Sequence, residues 1–147
     1  MINLTMIKFI LIFNNTGKLR IVRFYDSLPD SERLTTQNDV SSVCLSNSKQ
    51  EGILNFKDYT VVFRHYGNLV FSVGITDDEN ELSVMELLQN LVEILMKCLC
   101  KVSEADIILN IDKVYMILDE MITEGYIAET NQARVLAPLQ LLETVRK

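Results

Sequence analysis

The chain has one histidine, His65, three cysteines, two prolines and five glycines in 147 residues. A single histidine cannot build a zinc centre with scattered thiols, and Cys44, Cys98 and Cys100 show no CxxC spacing. An odd, frameless set of cysteines reads as reduced thiols in a cytosolic protein. Gly17 stands alone, with neither a GxGxxG nor a GxxxxGK[ST] pattern to cradle phosphate. So few Gly and Pro leave little room for long flexible linkers. No run of about 18 apolar residues occurs, so no transmembrane span is expected. With 14 basic against 20 acidic residues the net charge is −6, and the pI is near 4.8. That balance argues against nucleic-acid binding, which needs concentrated Lys and Arg. Only Lys18, Arg20 and Arg23 form a short basic cluster.

Apolar residues make up 48% and charged residues 23%, which is ordinary globular composition. The length suits one domain with a real core, over 1–147. The mean hydropathy of +0.16 is high for a chain without a membrane anchor. Such a surplus points to surface hidden against a partner. The apolar start, Ile2 to Phe13, is interrupted by Lys8 and followed by Asn14-Asn15-Thr16-Gly17, a turn rather than a cleavage site. It reads as a strand, and cytoplasmic localisation follows.

Residues 4–13 and 19–26 form a hairpin around the turn at Asn14 to Lys18. Leu28-Pro29-Asp30-Ser31 opens a helix to about Leu45, and Ser46 to Gly52 is a polar loop. A short extra strand near Leu54-Asn55-Phe56 is possible. Lys57 to Tyr66 and Leu69 to Ile75 make a second hairpin through Gly67-Asn68. The acidic run Asp77 to Glu81 suits a helix N-terminus, and that helix continues from Leu82 to about Cys100. Another runs from Ser103 to about Glu124, stopping at Gly125. A last helix follows Thr130-Asn131 through Leu142, with Pro138 inside it. The order β-β-α-(β)-β-β-α-α-α implies an α+β fold, an antiparallel sheet with helices packed on it.

The helix at 82–100 carries two apolar stripes. One is Leu82, Met85, Val92 and Met96, with Gln89 among them; the other is Val84, Leu87, Leu88, Leu91, Ile94, Leu95 and Cys98. A helix with one face in water shows a single stripe. Either it and the next helix cover each other, or part of their surface faces another subunit. No catalytic constellation accompanies this. His65 has no nucleophile beside it and reads as a packed or surface strand residue. Asp77, Asp78, Glu79 and Glu81 lack the ligand spacing and glycine of a calcium loop, and Asp119-Glu120 reads as a helix's polar face. No enzyme activity, cofactor or metal is expected.

The motifs themselves resemble a known family. Met6 to Arg20 (MIKFILIFNNTGKLR) is similar to the opening of clathrin-adaptor-complex small (sigma) subunits. Phe63 to Phe71 (FRHYGNLVF) resembles their central hairpin, and Glu104 to Tyr115 their next helix. Ile117 to Met121, Gly125 and Glu129-Thr130-Asn131 follow in register. Phe13-Asn14-Asn15, Val22 to Tyr25, Arg64-His65-Tyr66 and Asp112-Lys113-Val114 look closest to the small subunit of the third adaptor complex. Glu79 to Leu82 is similar to coatomer zeta, a more distant relative.

The resemblance implies a longin-like fold, a five-stranded antiparallel sheet flanked by α-helices. It implies a complex of two large, one medium and one small subunit, with the small one held directly by a large one, peripheral on Golgi and endosomal membranes and coated vesicles. It also implies recognition of acidic dileucine sorting signals in cargo tails. By motif, Arg20 would stand near the upstream acid, with a basic residue of the large subunit helping. Gly67, Leu69, Val92, Val102 and Ile107 would line the leucine pockets, with Tyr66 and Lys101 at their edge. Lys101 stands where relatives commonly have Asn. On the residues alone, Leu69, Val92, Val102 and Ile107 read as core. The competing reading is a stand-alone or tether-associated longin-type trafficking module, which more often carries a SNARE helix or lipid anchor.

Overall fold

The computed structural model describes residues 7–47, 49–76, 81–99 and 101–123, and the backbone of 126–127. The first hairpin joins β1 (Ile7–Asn14) to β2 (Leu19–Phe24). Asn14 closes its turn. The amide Oδ1 accepts from the Thr16 N–H at 3.0 Å, the Thr16 hydroxyl at 2.8 Å and the Lys18 N–H at 2.9 Å. Such side-chain closure is what makes Asn a turn residue, and Gly17 supplies the φ of +90° that the turn needs.

Helix α1 (Asp30–Ser46) starts after Pro29, with Asp30 and Glu32 in its first turn. Three strands follow: β3 (Glu51–Asn55), β4 (Thr60–Tyr66) and β5 (Leu69–Ile75). Then come α2 (Glu81–Cys98), α3 (Glu104–Leu109) and α4 (Ile111–Met121), and a short ribbon of β6 (Ile122–Thr123) and β7 (Tyr126–Ile127). The five main strands lie in the order β2-β1-β5-β4-β3, every neighbouring pair antiparallel.

Both faces of the sheet are covered. Ile10, Ile12, Val62, Leu69, Phe71 and Val73 point to a core shared with α2, α3 and α4. Phe9, Leu11, Phe13, Val61, Phe63 and Val70 point to a second core under Val40 and Cys44 of α1. Strict alternation would place Ile7 with Phe9. A register shift between them instead sends Ile7 to the α2 side, as an extra residue in a strand does. Opposite that shift Gly74 makes room for the Phe9 ring: a Cβ there would lie 2.1 Å from Phe9 Cε2.

Three expectations need correction. The stretch 46–52, taken as loop, contains the start of β3, and β4 begins at Thr60 rather than Lys57. β3 is an edge strand whose Glu51 and Asn55 face water, so its polarity hid its start, while the short strand expected near Leu54-Asn55-Phe56 overlaps its end. The single helix expected from Ser103 to Glu124 is two. Asn110, at φ −121° and ψ 33°, interrupts it, and its N–H and Nδ2 close α3 on the Asp106 carbonyl at 3.1 and 2.9 Å. Asn has local hydrogen bonds to offer in place of the helix ladder. α4 then ends at Met121, where Ile122 turns extended. The cap at Gly125, the last helix through Leu142 with Pro138, the acidic positions 77–80, Cys100 and the positions before Ile7 lie outside the described residues.

Candidate functional site

The sheet brings most of the expected site residues to one end. Asn14 at the end of β1 pairs with Leu69 at the start of β5, and Leu69 pairs with Tyr66 at the end of β4. Gly67 lies in the turn between those strands at φ +58°, with nothing within 4 Å of where its Cβ would be. Leu69, Val92, Val102 and Ile107 belong to one apolar cluster, and Tyr66 packs against it. They are core residues here: Leu69 and Ile107 are fully buried, Val92 is 2% exposed and Val102 9%. Lys101 is exposed at the bend before α3. A cavity of about 520 Å³ lies elsewhere, on the α1 side, lined by residues including Lys8, Phe9, Glu32, Asp39, Asp58 and Tyr59. None of the eight expected residues lines it.

Arg20, on β2, is engaged within the chain. Its Nε and Nη2 both donate to Glu104 Oε1, at 2.9 and 2.5 Å, and the two side chains are only 22% and 27% exposed. Asn14 Nδ2 donates to the same oxygen at 3.1 Å. Because the Asn14 Oδ1 is held by three turn donors, its Nδ2 is aimed at Glu104 whether or not Arg20 is there. Hydrogen bonds from Arg20 and then Asn14, with the positive charges of Arg20 and Lys18, hold the Glu104 carboxyl below its usual range. Glu104 is presented by α3, which Ser103 caps by accepting from the Asp106 N–H.

The rest of the basic cluster divides. Lys18 is exposed. Arg23 reaches Asp119 Oδ2 at 3.1 Å and lies 4.4 Å from the centre of the Tyr115 ring. Tyr115 also closes the open edge of the sheet, its hydroxyl accepting from the Val22 N–H at 3.1 Å. His65 is a packed strand residue, with Nε2 3.3 Å from the Cys44 carbonyl and its ring edge-on to Phe63. Arg64 donates to Gln89, which donates to Glu93 at 2.8 Å. Among the described residues no group of three metal-ligating side chains occurs, and no helix is long and apolar enough to cross a membrane.

Sequence reasoning gave Asn14 a turn and Glu104 a helix start, but placed neither in this site. Glu104 stands 84 positions from Arg20, and no local pattern links them.

The apolar surplus of α2 also has a location. The stripe Val84, Leu87, Leu88, Leu91, Ile94 and Leu95 is buried against the sheet and α4. At the ends of the other stripe Leu82 is 77% exposed and Met96 50%. On α3 and α4, Ile108, Leu109 and Ile111 are exposed as well, Leu109 at 80%.

Such a sheet, with one helix on one face and three on the other among the described residues, is the longin-like fold of adaptor small subunits. A chain of a structure described as a full-length AP-3 complex homology model in a stretched open conformation superposes with a TM-score of 0.74. The two share 25% identity, and 95% of each chain is covered. The family model for the clathrin adaptor complex small chain matches residues 6–146, and the chain belongs to that family. AP-4 complex subunit sigma-1 of Mus musculus is 42% identical, over 94% of this chain and 96% of its own. AP-1 complex subunit sigma-3 of Mus musculus is 37% identical, over 92% and 88%. AP-3 complex subunit sigma-2 of Homo sapiens is 34% identical, over 97% and 77%. The expected leaning towards the third complex therefore holds only in part, since AP-4 and AP-1 subunits match at higher identity. Adaptor small chains are structural trafficking proteins and not enzymes, and this chain is one of them.

Proposed function

We propose that the chain is the small subunit of a heterotetrameric adaptor complex, acting as a single domain. It docks on a large subunit, stabilises the complex core and helps hold acidic dileucine signals in cargo tails. The complex places it on the cytoplasmic face of Golgi or endosomal membranes. Docking is supported by Leu82, Met96 and Leu109, large apolar side chains left in water on successive helices. Cargo recognition is carried by one observation: Leu69, Val92, Val102 and Ile107 share the apolar core on the α2–α4 face of the sheet, and Arg20 at the start of β2 stands at the same end of the sheet as Leu69 at the start of β5. That combines apolar contact for two leucines with a guanidinium for the upstream acid.

In the free chain this cluster is closed, so two leucines enter only when it opens. Val102, the least buried of the four, lies between α2 and α3 and is the natural place to yield. Burying two leucines supplies about 1.5–3 kcal/mol each before ordering costs, which suits weak, reversible capture amplified by multivalency.

The test is peptide binding by the complex reconstituted with its large subunit. An acidic dileucine peptide binds, replacing both leucines by Ala abolishes binding, and Arg20→Gln weakens it while the complex still assembles. Equal binding of the leucine and alanine peptides overturns the reading.

A further inference from the structure

Arg20 is not a bare cation awaiting cargo. Two of its donors already converge on one oxygen of Glu104, and Asn14 anchors that oxygen from a turn whose geometry does not depend on Arg20. We propose that Glu104 is a specificity-determining residue of this site. It is a fixed internal carboxylate that takes up part of Arg20 and sets how strongly the site favours an acid upstream of the two leucines. This rests on the dileucine reading above.

A guanidinium has five N–H donors. Arg20 spends two on Glu104, so a second carboxylate can still be received on its other edge. The cost of receiving it is charge, not space. Two carboxylates on one guanidinium repel, and Lys18, exposed beside them, offsets that only in part. Like charges about 6 Å apart in a water-like medium change an equilibrium constant about threefold, and more where water is excluded. Glu104 therefore lowers the preference for an acidic over a neutral upstream residue and leaves the leucine contacts as they are.

The experiment compares two peptides on the reconstituted complex, one with the upstream Glu and one with Gln in its place. The quantity read is the ratio of their dissociation constants, neutral over acidic. In Glu104→Gln, which keeps the shape and an acceptor for Asn14, the ratio rises about threefold or more, while the neutral peptide binds as before. Glu104→Ala, a second variant, moves it in the same direction. A ratio that is unchanged or falls, with both peptides bound, overturns the role of Glu104 and leaves the dileucine reading standing. No binding of either peptide to any variant overturns both together.

Discussion

Replacing Gly74 by alanine sets two effects of opposite sign against each other. A strand glycine is entropically costly, so a methyl group at an open position stabilises by about 0.5–1 kcal/mol. At Gly74 the methyl would lie 2.1, 2.3 and 2.6 Å from Cε2, Cζ and Cδ2 of Phe9. The ring must retreat by more than about 1 Å to restore ordinary contact distance. Phe9 lines the 520 Å³ cavity on the α1 side, but retreat towards it disturbs both ring contacts: Phe24 lies tilted against Phe9 at 5.6 Å between ring centres, and Tyr59 edge-on at 5.4 Å. Overpacking of this kind costs about 1–3 kcal/mol, and displaced aromatic pairs add about 0.5–1.5 kcal/mol. The sum favours destabilisation by about 2 kcal/mol, a loss of about 4–8 °C in melting temperature. Denaturant unfolding followed by far-ultraviolet circular dichroism measures it. The diagnostic is the pair with Phe9→Leu: a smaller side chain at position 9 relieves the clash, so the double variant loses less than the sum of the singles by about 1 kcal/mol. If Gly74→Ala is as stable as the parent, or the cycle is additive, the close approach of Phe9 to β5 is not real.

Hydrogen bonds from Arg20 and Asn14 depress the Glu104 carboxyl, so its contribution to stability is present above the unfolded-state value and is lost as pH falls through the folded one. Carboxyl NMR finds Glu104 titrating below a free glutamate, and in Arg20→Gln its value rises back towards the ordinary range. Burial pushes the Cys44 thiol up to about 12, so alkylation at pH 8 leaves Cys44 unmodified in the native chain and labels it on unfolding, as mass spectrometry reads out. Tyr115→Phe keeps the ring beneath Arg23 and removes the hydroxyl that accepts from Val22. It costs about 0.5–1.5 kcal/mol, and the Val22 amide exchanges faster with solvent. Leu82→Gln with Leu109→Gln raises the solubility of the isolated chain and reduces co-purification with the large subunit. Unchanged assembly would detach that surface from docking.

The fold was largely legible because its signals are local. Alternation, the turns at Asn14–Lys18 and Gly67–Asn68, and the apolar periodicity of 82–98 each act over a few residues. For the start of β3 the deciding contact lay outside that range. The end of β3 was expected near Leu54-Asn55-Phe56, but its start is strand because β4 supplies its partner, Glu51 opposite Arg64 and Ile53 opposite Val62, although 46–52 reads as loop in composition. The break at Asn110 is local, set by its bonds to the Asp106 carbonyl, but helix propensity ranks Asn too close to its neighbours to announce it.

For the site, sequence could supply residue types and not company. Arg20 reads as an available positive charge, and its counter-charge becomes visible only when β2 and α3 meet. Leu69, Val92, Val102 and Ile107 carried two readings, core and pocket, and the structure satisfies the first without removing the second. A slot for two leucines need not stand empty, since an open apolar cleft of that size would cost the free chain the contacts its lining now makes with itself. Closing the cluster recovers those contacts, and under the proposed function cargo would replace them with its own. On the proposed function, affinity at this site is a difference between two apolar packings, with the proposed charge balance at Arg20 and Glu104 deciding between cargoes that fill the slot equally well. Val92→Asp, at 2% exposure, would bury a carboxylate in either packing and so cannot separate them. Val92→Ala can. It weakens self-packing and cargo packing together, and a variant with lower stability but little change in peptide affinity is the signature of such an exchange.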